Sequence, residues 1–188
     1  MIVLASGSPR RRELLGALYP LVVRPVDIDE TPRPAEDPVV YARRMAEEKG
    51  QACPVLDHVV VAADTVVHRG GAIYGKPTDA EDAVRMLLEL SDKEHTVTTG
   101  TYVRFDGHHQ VDATSTRVRF RRLTEVEVRG YVATGEPMDK AGGYGIQGLG
   151  GALVKEIEGS HSNVIGLPLA EVIAALVRCG AGAPFEHL

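Results

Sequence analysis

Residues 2–18 read IVLASGSPRRRELLGAL: a short apolar run, small residues, a proline, three arginines and then a helical pattern. Ser8 is a good helix N-cap, and Pro9 suits the first helical position because the backbone there needs no hydrogen-bond donor. Apolar residues then recur at helical spacing, at Leu14, Leu15 and Leu18. The stretch therefore predicts a strand over residues 2–5, a small-residue loop and a helix that begins at Pro9.

The start of this helix is a candidate anion site. Unpaired N–H groups point out of a helix N-terminus, and Arg10, Arg11 and Arg12 add positive charge beside them. Arginine in a first turn opposes the helix dipole unless an anion compensates it. The stretch suits a polyphosphate, and the alternative is an ordinary capped helix with a solvated basic turn. It is neither a Walker loop nor a GxGxxG fingerprint, so neither of those mechanisms is implied.

Length and composition predict a globular protein of the cytoplasm. The 188 residues are enough for one large domain or two lobes, and 44% hydrophobic and 25% charged residues are ordinary values. The net charge of −5 argues against stable nucleic-acid binding. Cys53 and Cys179 have no zinc-site spacing and indicate a reducing compartment. The first apolar run is too short for a signal peptide, and no stretch resembles a membrane span.

The rest of the chain predicts strands and helices in alternation. Helices are expected from Pro38, capped by Asp37, to about Lys49, after capping boxes at residues 78–81 and 124–127, and from near Pro168. Strands are expected over residues 58–67, 96–105, 111–120 and 152–157, with a hairpin turn at Asp106-Gly107. This order favours an α/β fold with a mixed, twisted central sheet flanked by helices.

Asp64 is the most informative acidic residue. It interrupts the apolar strand over residues 58–67, and burying a lone carboxylate is costly unless it is paired or binds a metal. Ligands collect beyond the carboxyl ends of strands in open α/β sheets, so Asp64, followed by Thr65, suits a metal ligand or a general base. The alternative is a strand-end aspartate that caps a turn or pairs with a structural arginine.

Asp29 and Glu30 are a second acidic candidate. Adjacent side chains point in different directions, so one of the two is expected to face a site, and a solvated turn is the alternative. Together with Asp64 they could complete a Mg²⁺ site. Lys49 and Lys76 are single lysines that can be ordinary surface charge, although glycine and proline fix the loop around Lys76.

Residues 139–148, which read DKAGGYGIQG, form a second glycine cluster. Glycine permits positive φ and lets the backbone approach a ligand closely. Gln147 offers both a donor and an acceptor, which is the equipment needed to read the edge of a base. The alternative for this segment is a flexible surface loop.

Together these motifs resemble those of the Maf family of nucleotide pyrophosphatases, which is also linked to septum formation. The resemblance covers nearly the whole chain, and the ordered set of motifs is far more specific than any one of them. The matching positions are residues 4–11, 29–30, 49, 62–66, 75–77, 139–142, 144–148, 159–160, 163–164 and 166–169.

The resemblance implies hydrolysis of a nucleoside triphosphate to the monophosphate and pyrophosphate, with a divalent cation such as Mg²⁺ or Mn²⁺. By similarity, Asp64 is the proton acceptor that activates water, and Glu30 and Asp64 hold the metal. The residues that bind the triphosphate are then Ser6, Arg10, Arg11, Lys49 and Lys76. Those that set substrate choice are Arg10, Thr65 and Gln147. The implied fold is ITPase-like: one domain over residues 1–188, with two lobes and an active-site cleft.

The Ile-Gln-Gly sequence that ends at Gly148 resembles the subgroup that acts on dTTP and UTP. A 7-methyl-GTP pyrophosphatase, a phosphatase that releases orthophosphate and a non-catalytic regulator of cell division are the alternatives. The family analogy also implies a homodimer and the removal of modified nucleotides, and the lack of a membrane-span pattern predicts no membrane partner. The chain departs from the expected family pattern at four positions, which are Gly50, Gly143 and Gly151 in place of alanine and His161 in place of tyrosine.

Overall fold

The structure is a computed structural model that describes residues 1–186. Within this range the strands are β1 (Ile2–Leu4), β2 (Leu21–Val23), β3 (Val59–Arg69), β4 (Ala72–Tyr74), β5 (Glu94–Phe105), β6 (His108–Phe120) and β7 (Val154–Glu158). The α-helices are α1 (Pro9–Gly16), α2 (Pro38–Ala52), α3 (Ala80–Leu90), α4 (Glu125–Val132), α5 (His161–Ile165) and α6 (Leu169–Arg178). The glycine-rich segment contains short 3₁₀ helices at Glu136–Asp139, Ala141–Gly143 and Leu149–Leu153.

The strands form one central seven-stranded sheet in the order β2-β1-β3-β5-β6-β7, with β4 paired to β3. Strand β1 runs parallel to both β2 and β3, whereas β4 is antiparallel to β3 and β7 is antiparallel to β6. The sheet is therefore mixed. The predicted α/β class, with a central sheet flanked by helices, is confirmed.

Side-chain caps explain why helices α1 and α2 begin where the sequence predicts. The Ser8 hydroxyl accepts a hydrogen bond from the Arg11 amide, and Pro9 occupies the first position of α1. The Asp37 carboxylate caps α2 by accepting from the amides of Val39 and Val40. Each cap satisfies N–H groups that the first helical turn leaves without a partner, so the beginnings of these helices could be read locally.

The structure corrects the predicted capping box at residues 78–81. The cap of α3 is Asp79, whose carboxylate accepts from the Asp82 amide, and the helix begins at Ala80. Thr78 instead donates its amide to Asp82 Oδ2. Asp79 is the N-cap of α3 because its carboxylate reaches the amide three residues later, which is the geometry of an N-cap.

Other differences concern short elements and strand ends. Strand β6 begins at His108, not at residue 111, because Asp106 and Gly107, with φ of 49° and 76°, complete a two-residue turn. Strands β2 and β4 and helix α5 were not predicted. Each is three to five residues long, which is too short to show a hydrophobic period.

The chain divides into two compact units, and the division falls between Asp64 and Thr65. Unit 1 comprises residues 1–64, 99–114 and the chain from Gly166 onward; unit 2 comprises residues 65–98 and 115–165. Unit 1 has one apolar cluster that includes Leu4, Leu15 and Leu176 and another that includes Ala46 and Tyr102. Unit 2 has its own core, around Leu87, Phe120 and Tyr144.

Two glycines of unit 1 allow helix α2 to lie close against strand β5. A Cβ on Gly100 would lie 2.1 Å from the carbonyl oxygen of Ala42, and one on Gly50 would lie 2.1 Å from Cδ1 of Tyr102. The Tyr102 ring therefore fills the space that an alanine at position 50 would need. This contact gives the glycine at position 50 a steric cause, and it seats the helix that carries Lys49.

Candidate functional site

The loop after β1 is organised around the hydroxyl of Ser6. Ser6 Oγ accepts hydrogen bonds from the Ser8 amide at 3.3 Å and from Arg11 Nη1 at 3.1 Å. Arg11 also donates through Nε to the carbonyl oxygen of Gly166 at 2.8 Å. The guanidinium of Arg11 is thereby held against the loop. Arg12, which has no role by family resemblance, is exposed.

The charge of Arg11 interacts with the charges of acidic residues in the same unit. Burial lowers the pKa of Arg11 from its ordinary value, whereas the negative charges of Asp64 and Glu30 act to raise it. The arginine and the two carboxylates are thus near enough to interact electrostatically.

Lys49 joins the two predicted metal ligands. Its Nζ lies 2.5 Å from Asp64 Oδ1 and 2.7 Å from Glu30 Oε1. Lys49 and Asp64 are both buried, whereas Glu30 is about half exposed. Asp64 is therefore paired with a lysine, whereas the alternative interpretation of the sequence paired it with a structural arginine. Helix α2, strand β3 and the loop after β2 each contribute one member of this group.

Tyr41 is a residue of this site that the sequence reasoning missed. Its hydroxyl donates to the backbone carbonyl oxygen of Glu30 at 2.7 Å. Burial, followed by the charges of Asp64 and Glu30, raises the pKa of Tyr41 to about 12, so the hydroxyl stays protonated near neutral pH. The spacing between Tyr41 and Lys49 places both residues on one face of a helix. This spacing could have indicated Tyr41 from the sequence alone.

Arg44 ties the loop that carries Glu30 to helix α2. Its Nε and Nη2 lie 2.7 and 2.6 Å from the two oxygens of Glu36, and Nη2 also donates to the carbonyl oxygen of Thr31. The hydrogen bond from Arg44 lowers the pKa of Glu36 to about 2, which keeps this carboxylate ionised. Arg44 also lies over the Tyr41 ring, 5.5 Å from its centroid. The loop is held at several points.

Asp29 and Glu30 behave differently, in agreement with the expectation that one of them faces a site. Glu30 contacts Lys49, whereas Asp29 Oδ1 accepts from the Thr31 amide at 2.9 Å and serves its own turn. Hydrogen bonds from the side chain and then the amide of Thr31 lower the pKa of Asp29.

The donor set fits a magnesium-type ion that shares its coordination with a substrate. Among residues 1–186, no group of three or more histidine, cysteine, aspartate or glutamate side chains could hold a metal ion by itself. The carboxylates of Glu30 and Asp64 nevertheless converge on one atom, Nζ of Lys49. Mg²⁺ commonly binds to one or two carboxylates and takes its other oxygens from phosphates and water.

Of the remaining predicted site residues, Arg10 lies in the first turn of α1 in unit 1, and the other three belong to unit 2. Thr65 is partly buried in β3, Lys76 is exposed between Gly75 and Pro77, and Gln147 is exposed in the glycine-rich segment. The Gly142 amide donates to the carbonyl oxygen of Gly75 at 3.0 Å, so the segments that carry Lys76 and Gln147 are joined by a backbone hydrogen bond.

No helix within residues 1–186 combines the length and the apolar character that crossing a membrane requires.

Comparisons with known proteins agree with these features. The sequence model of the Maf-like protein family matches residues 1–179. A protein of Anaeromyxobacter dehalogenans (strain 2CP-C) named dTTP/UTP pyrophosphatase is 54% identical, over 99% of this chain and 97% of its own length. Proteins with the same name from Geobacter sp. (strain M21) and Chromobacterium violaceum are 49% and 46% identical, and each comparison covers at least 96% of both chains.

Proposed function

This chain belongs to the Maf-like protein family, and from that membership we propose that it hydrolyses dTTP and UTP to nucleoside monophosphate and pyrophosphate. Relatives that carry the name dTTP/UTP pyrophosphatase are 46–54% identical over nearly the full chain, which supports this substrate class. The observation that carries the proposal is the meeting of Lys49, Asp64 and Glu30 in the unit that also holds Arg11. This reaction needs positive charge that binds the phosphates and a fixed carboxylate that orients the attacking water.

The triphosphate is assigned to Ser6, Arg10, Arg11, Lys49 and Lys76. An ammonium group has three donors, and Glu30 and Asp64 engage two of those of Lys49, so the third suits a phosphate oxygen. Arg11 is held by Ser6 and Gly166, and a guanidinium fixed in this way is already oriented before the substrate binds. Such positioning, achieved before the reaction begins, is a main source of catalysis in phosphoryl transfer.

Asp64 is assigned the role of general base. Because Lys49 holds Oδ1, we assign the orientation of the attacking water to Oδ2. The water oxygen forms a bond to the α-phosphorus as its proton passes to Asp64. The bond from the α-phosphorus to the bridging oxygen breaks, and pyrophosphate leaves with the electron pair.

A divalent cation, Mg²⁺ or Mn²⁺, is assigned to Glu30 and Asp64. When bound, such an ion polarises phosphate oxygens and offsets the charge that develops on them. The protein's own contribution is to keep the two carboxylates together, through Lys49 and through the hydrogen bond from Tyr41 to Glu30.

Choice of the base is assigned to Arg10, Thr65 and Gln147. Thymine and uracil present the same edge, an N–H donor between two carbonyl acceptors. The amide of Gln147 can accept from the ring N–H and donate to a neighbouring carbonyl. An enzyme that reads this edge would take both dTTP and UTP.

The test is a panel of UTP, dTTP, CTP, ATP and 7-methyl-GTP with Mg²⁺ or Mn²⁺, with the released product identified. We expect pyrophosphate from UTP and dTTP, and a loss of about 10²- to 10⁴-fold in kcat for Asp64→Asn, because the general base is removed. Asp57→Asn, an exposed aspartate of the same unit, is the matched control and should keep full activity. Release of orthophosphate, or preference for 7-methyl-GTP, would contradict the proposal.

Three further properties belong to the same proposal and rest on the family resemblance. They are a homodimer, a location in the cytoplasm and a housekeeping role in removing modified nucleotides. Sedimentation of the purified protein tests the first of them: a single species of twice the chain mass is expected, and a monomer at every concentration would contradict it.

A further inference from the structure

Lys49 holds two carboxylates with one ammonium group. Its Nζ lies 2.5 Å from Asp64 Oδ1 and 2.7 Å from Glu30 Oε1. The side chains of Lys49 and Asp64 are only 11% and 12% exposed, so water and salt screen this contact weakly. The positive charge of Lys49 therefore offsets the negative charges of the two carboxylates directly.

The same two carboxylates are the ones assigned to the divalent cation. Mg²⁺ binds carboxylate oxygens at about 2.0–2.1 Å, which is a similar distance to that of the ammonium nitrogen from one oxygen of each carboxylate. If Lys49 kept both contacts, its ammonium group and a bound cation would lie close together and would repel each other. The charge of Arg11, which also interacts with those of Asp64 and Glu30, adds to this repulsion. Lys49 and a divalent cation therefore compete for the two carboxylates.

Lys49 can give up its two contacts without any movement of the backbone. Asp64 lies in strand β3, and the backbone of Glu30 is held by the hydrogen bond from the Tyr41 hydroxyl at 2.7 Å. Lysine carries its charge on a flexible four-carbon stem, so Nζ can move to a new partner while helix α2 stays in place. Lys49 can therefore exchange the carboxylates for a phosphate oxygen, the partner that the proposed function assigns to it.

A triphosphate supplies the negative charge that this exchange requires. Its oxygens can complete the coordination of a cation and, at the same time, accept hydrogen bonds from an ammonium group. Without a triphosphate, Lys49 would exchange its ion pairs with Glu30 and Asp64 for contacts with water alone. Binding of the cation and binding of the triphosphate should consequently strengthen each other.

We propose that Lys49 is an internal competitor of the divalent cation. Its ammonium group holds Glu30 and Asp64 together before the substrate binds, and it leaves them for the phosphates when a cation and a triphosphate bind together. Lys49 thereby couples the two binding events and disfavours binding of the cation alone. The inference rests on the proposed function, because it concerns the cation and the substrate of that same site.

The experiment measures the binding of Mn²⁺ to the full-length protein without nucleotide, from the electron paramagnetic resonance signal of the unbound ion. Lys49→Met removes the charge and keeps an unbranched side chain. We expect the dissociation constant for Mn²⁺ to fall about ten- to hundredfold, because the ammonium group that repels the ion is gone. Lys49→Arg keeps the charge and should not tighten the binding. Arg12→Met, which removes an exposed positive charge of the same unit, is the matched control and should change the constant less than about twofold.

The same variant should bind the substrate less well. Lys49→Met also lacks the group assigned to the phosphates, so the KM for UTP should rise although Mn²⁺ binds more tightly. A protein that had only lost part of its fold would bind both ligands less well, so the opposite directions of the two changes identify the exchange.

A second binding measurement tests the coupling. It adds a UTP analogue that has a methylene group between the α- and β-phosphorus and is not hydrolysed. The analogue should strengthen Mn²⁺ binding by a larger factor in the wild type than in Lys49→Met, because only the wild type has a competitor to draw away. An equal factor in the two proteins would overturn the inference, and so would Mn²⁺ binding that is unchanged or weaker in Lys49→Met.

The failure of this inference differs from the failure of the proposed function. A wild-type protein that releases no pyrophosphate from UTP and dTTP would refute the proposed function, whereas the Mn²⁺ measurements without nucleotide do not depend on turnover. Lys49→Gln carries the test if Lys49→Met does not fold.

Discussion

At the scale of single residues, Lys49 decides how the acidic groups are arranged. A charge buried without partners is strongly unfavourable, and Lys49 and Asp64 are both buried. The lysine resolves this by contacting Asp64 and Glu30 at once, at 2.5 and 2.7 Å. A residue type that usually lies on the surface here brings together two carboxylates that are distant in sequence.

Tyr41→Phe should loosen Glu30 without removing it. The substitution deletes the hydroxyl that donates to the carbonyl oxygen of Glu30 at 2.7 Å and leaves the ring in place. We expect the concentration of Mg²⁺ needed for half-maximal activity to rise several-fold, while kcat at saturating Mg²⁺ changes little. A titration of initial rates against Mg²⁺ measures both quantities.

Tyr19→Phe is the control for this change. Tyr19 is also a buried tyrosine of unit 1, and its hydroxyl also donates to a backbone carbonyl, that of Gly182. Both variants should lose about 1 kcal/mol in the free energy of unfolding, the usual worth of one such hydrogen bond. A Mg²⁺ requirement that shifts equally in both, or in neither, would count against a role of Tyr41 in holding Glu30.

At the scale of elements, the packing of α2 on β5 determines where Lys49 lies. The contact is close because Gly100 of the strand meets the backbone of Ala42, and Gly50 of the helix meets the ring of Tyr102. Tyr102 is almost fully buried, so its ring has no free space to move into. A glycine inside a helix is normally unfavourable by about 1 kcal/mol relative to alanine, and here the ring contact outweighs that cost.

Gly50→Ala should therefore destabilise the protein, opposite to the usual effect of this change in a helix. The new Cβ would lie 2.1 Å from the Tyr102 ring, and such overpacking costs about 1–3 kcal/mol. Urea unfolding measures the change in free energy. The combination with Tyr102→Leu should recover part of the loss, because the smaller side chain opens the space.

Gly130→Ala supplies the comparison within the same protein. Gly130 lies inside α4, and a Cβ there would meet nothing within 4 Å. It should raise the free energy of unfolding by up to about 1 kcal/mol. If Gly50→Ala stabilised the protein as Gly130→Ala does, the packing explanation would be wrong.

At the scale of the whole molecule, each compact unit has a core of its own, and the core of unit 2 contains a buried histidine. His95 is 2% exposed, its Nε2 lies 2.8 Å from the Tyr144 hydroxyl, and its ring packs edge-on against Phe120. Burial, with smaller effects from the charges of His68 and Arg69, lowers the pKa of His95 to about 4. The folded protein therefore excludes a proton that the unfolded chain binds readily.

Global stability should consequently fall in mild acid. Between about pH 6.5 and pH 4 the unfolded chain binds a proton at His95 that the folded protein does not, so the free energy of unfolding decreases as the pH falls. The loss from this one group is at most about 3 kcal/mol, from a pKa difference of about 2.5 units. Urea unfolding at a series of pH values measures it.

His95→Gln should flatten this pH dependence while keeping a polar group near Tyr144. His161→Gln, at an exposed position of the same unit, should retain the wild-type slope. Equal slopes in the two variants would show that other groups cause the acid sensitivity.

The sequence by itself determined the features that depend on neighbours along the chain. The caps at Ser8, Asp37 and Thr124 and the turn at Asp106-Gly107 lie where the sequence predicted them, because each depends on hydrogen bonds or dihedral angles within a few residues. The alternation of strands and helices correctly predicted the mixed α/β fold. The ordered motifs predicted the family that the comparisons confirm. The expected cleft between two lobes stays a prediction.

Only the tertiary structure decided which side chains meet. The contacts of Lys49 with Glu30 and Asp64, of Tyr41 with Glu30 and of Glu136 with the amides around Gln147 join residues from different parts of the chain. No hydrophobic period or capping rule encodes such contacts, because they depend on how a helix or loop packs against distant segments. The sequence shows which residue types are present, but only the three-dimensional fold determines which of them pair.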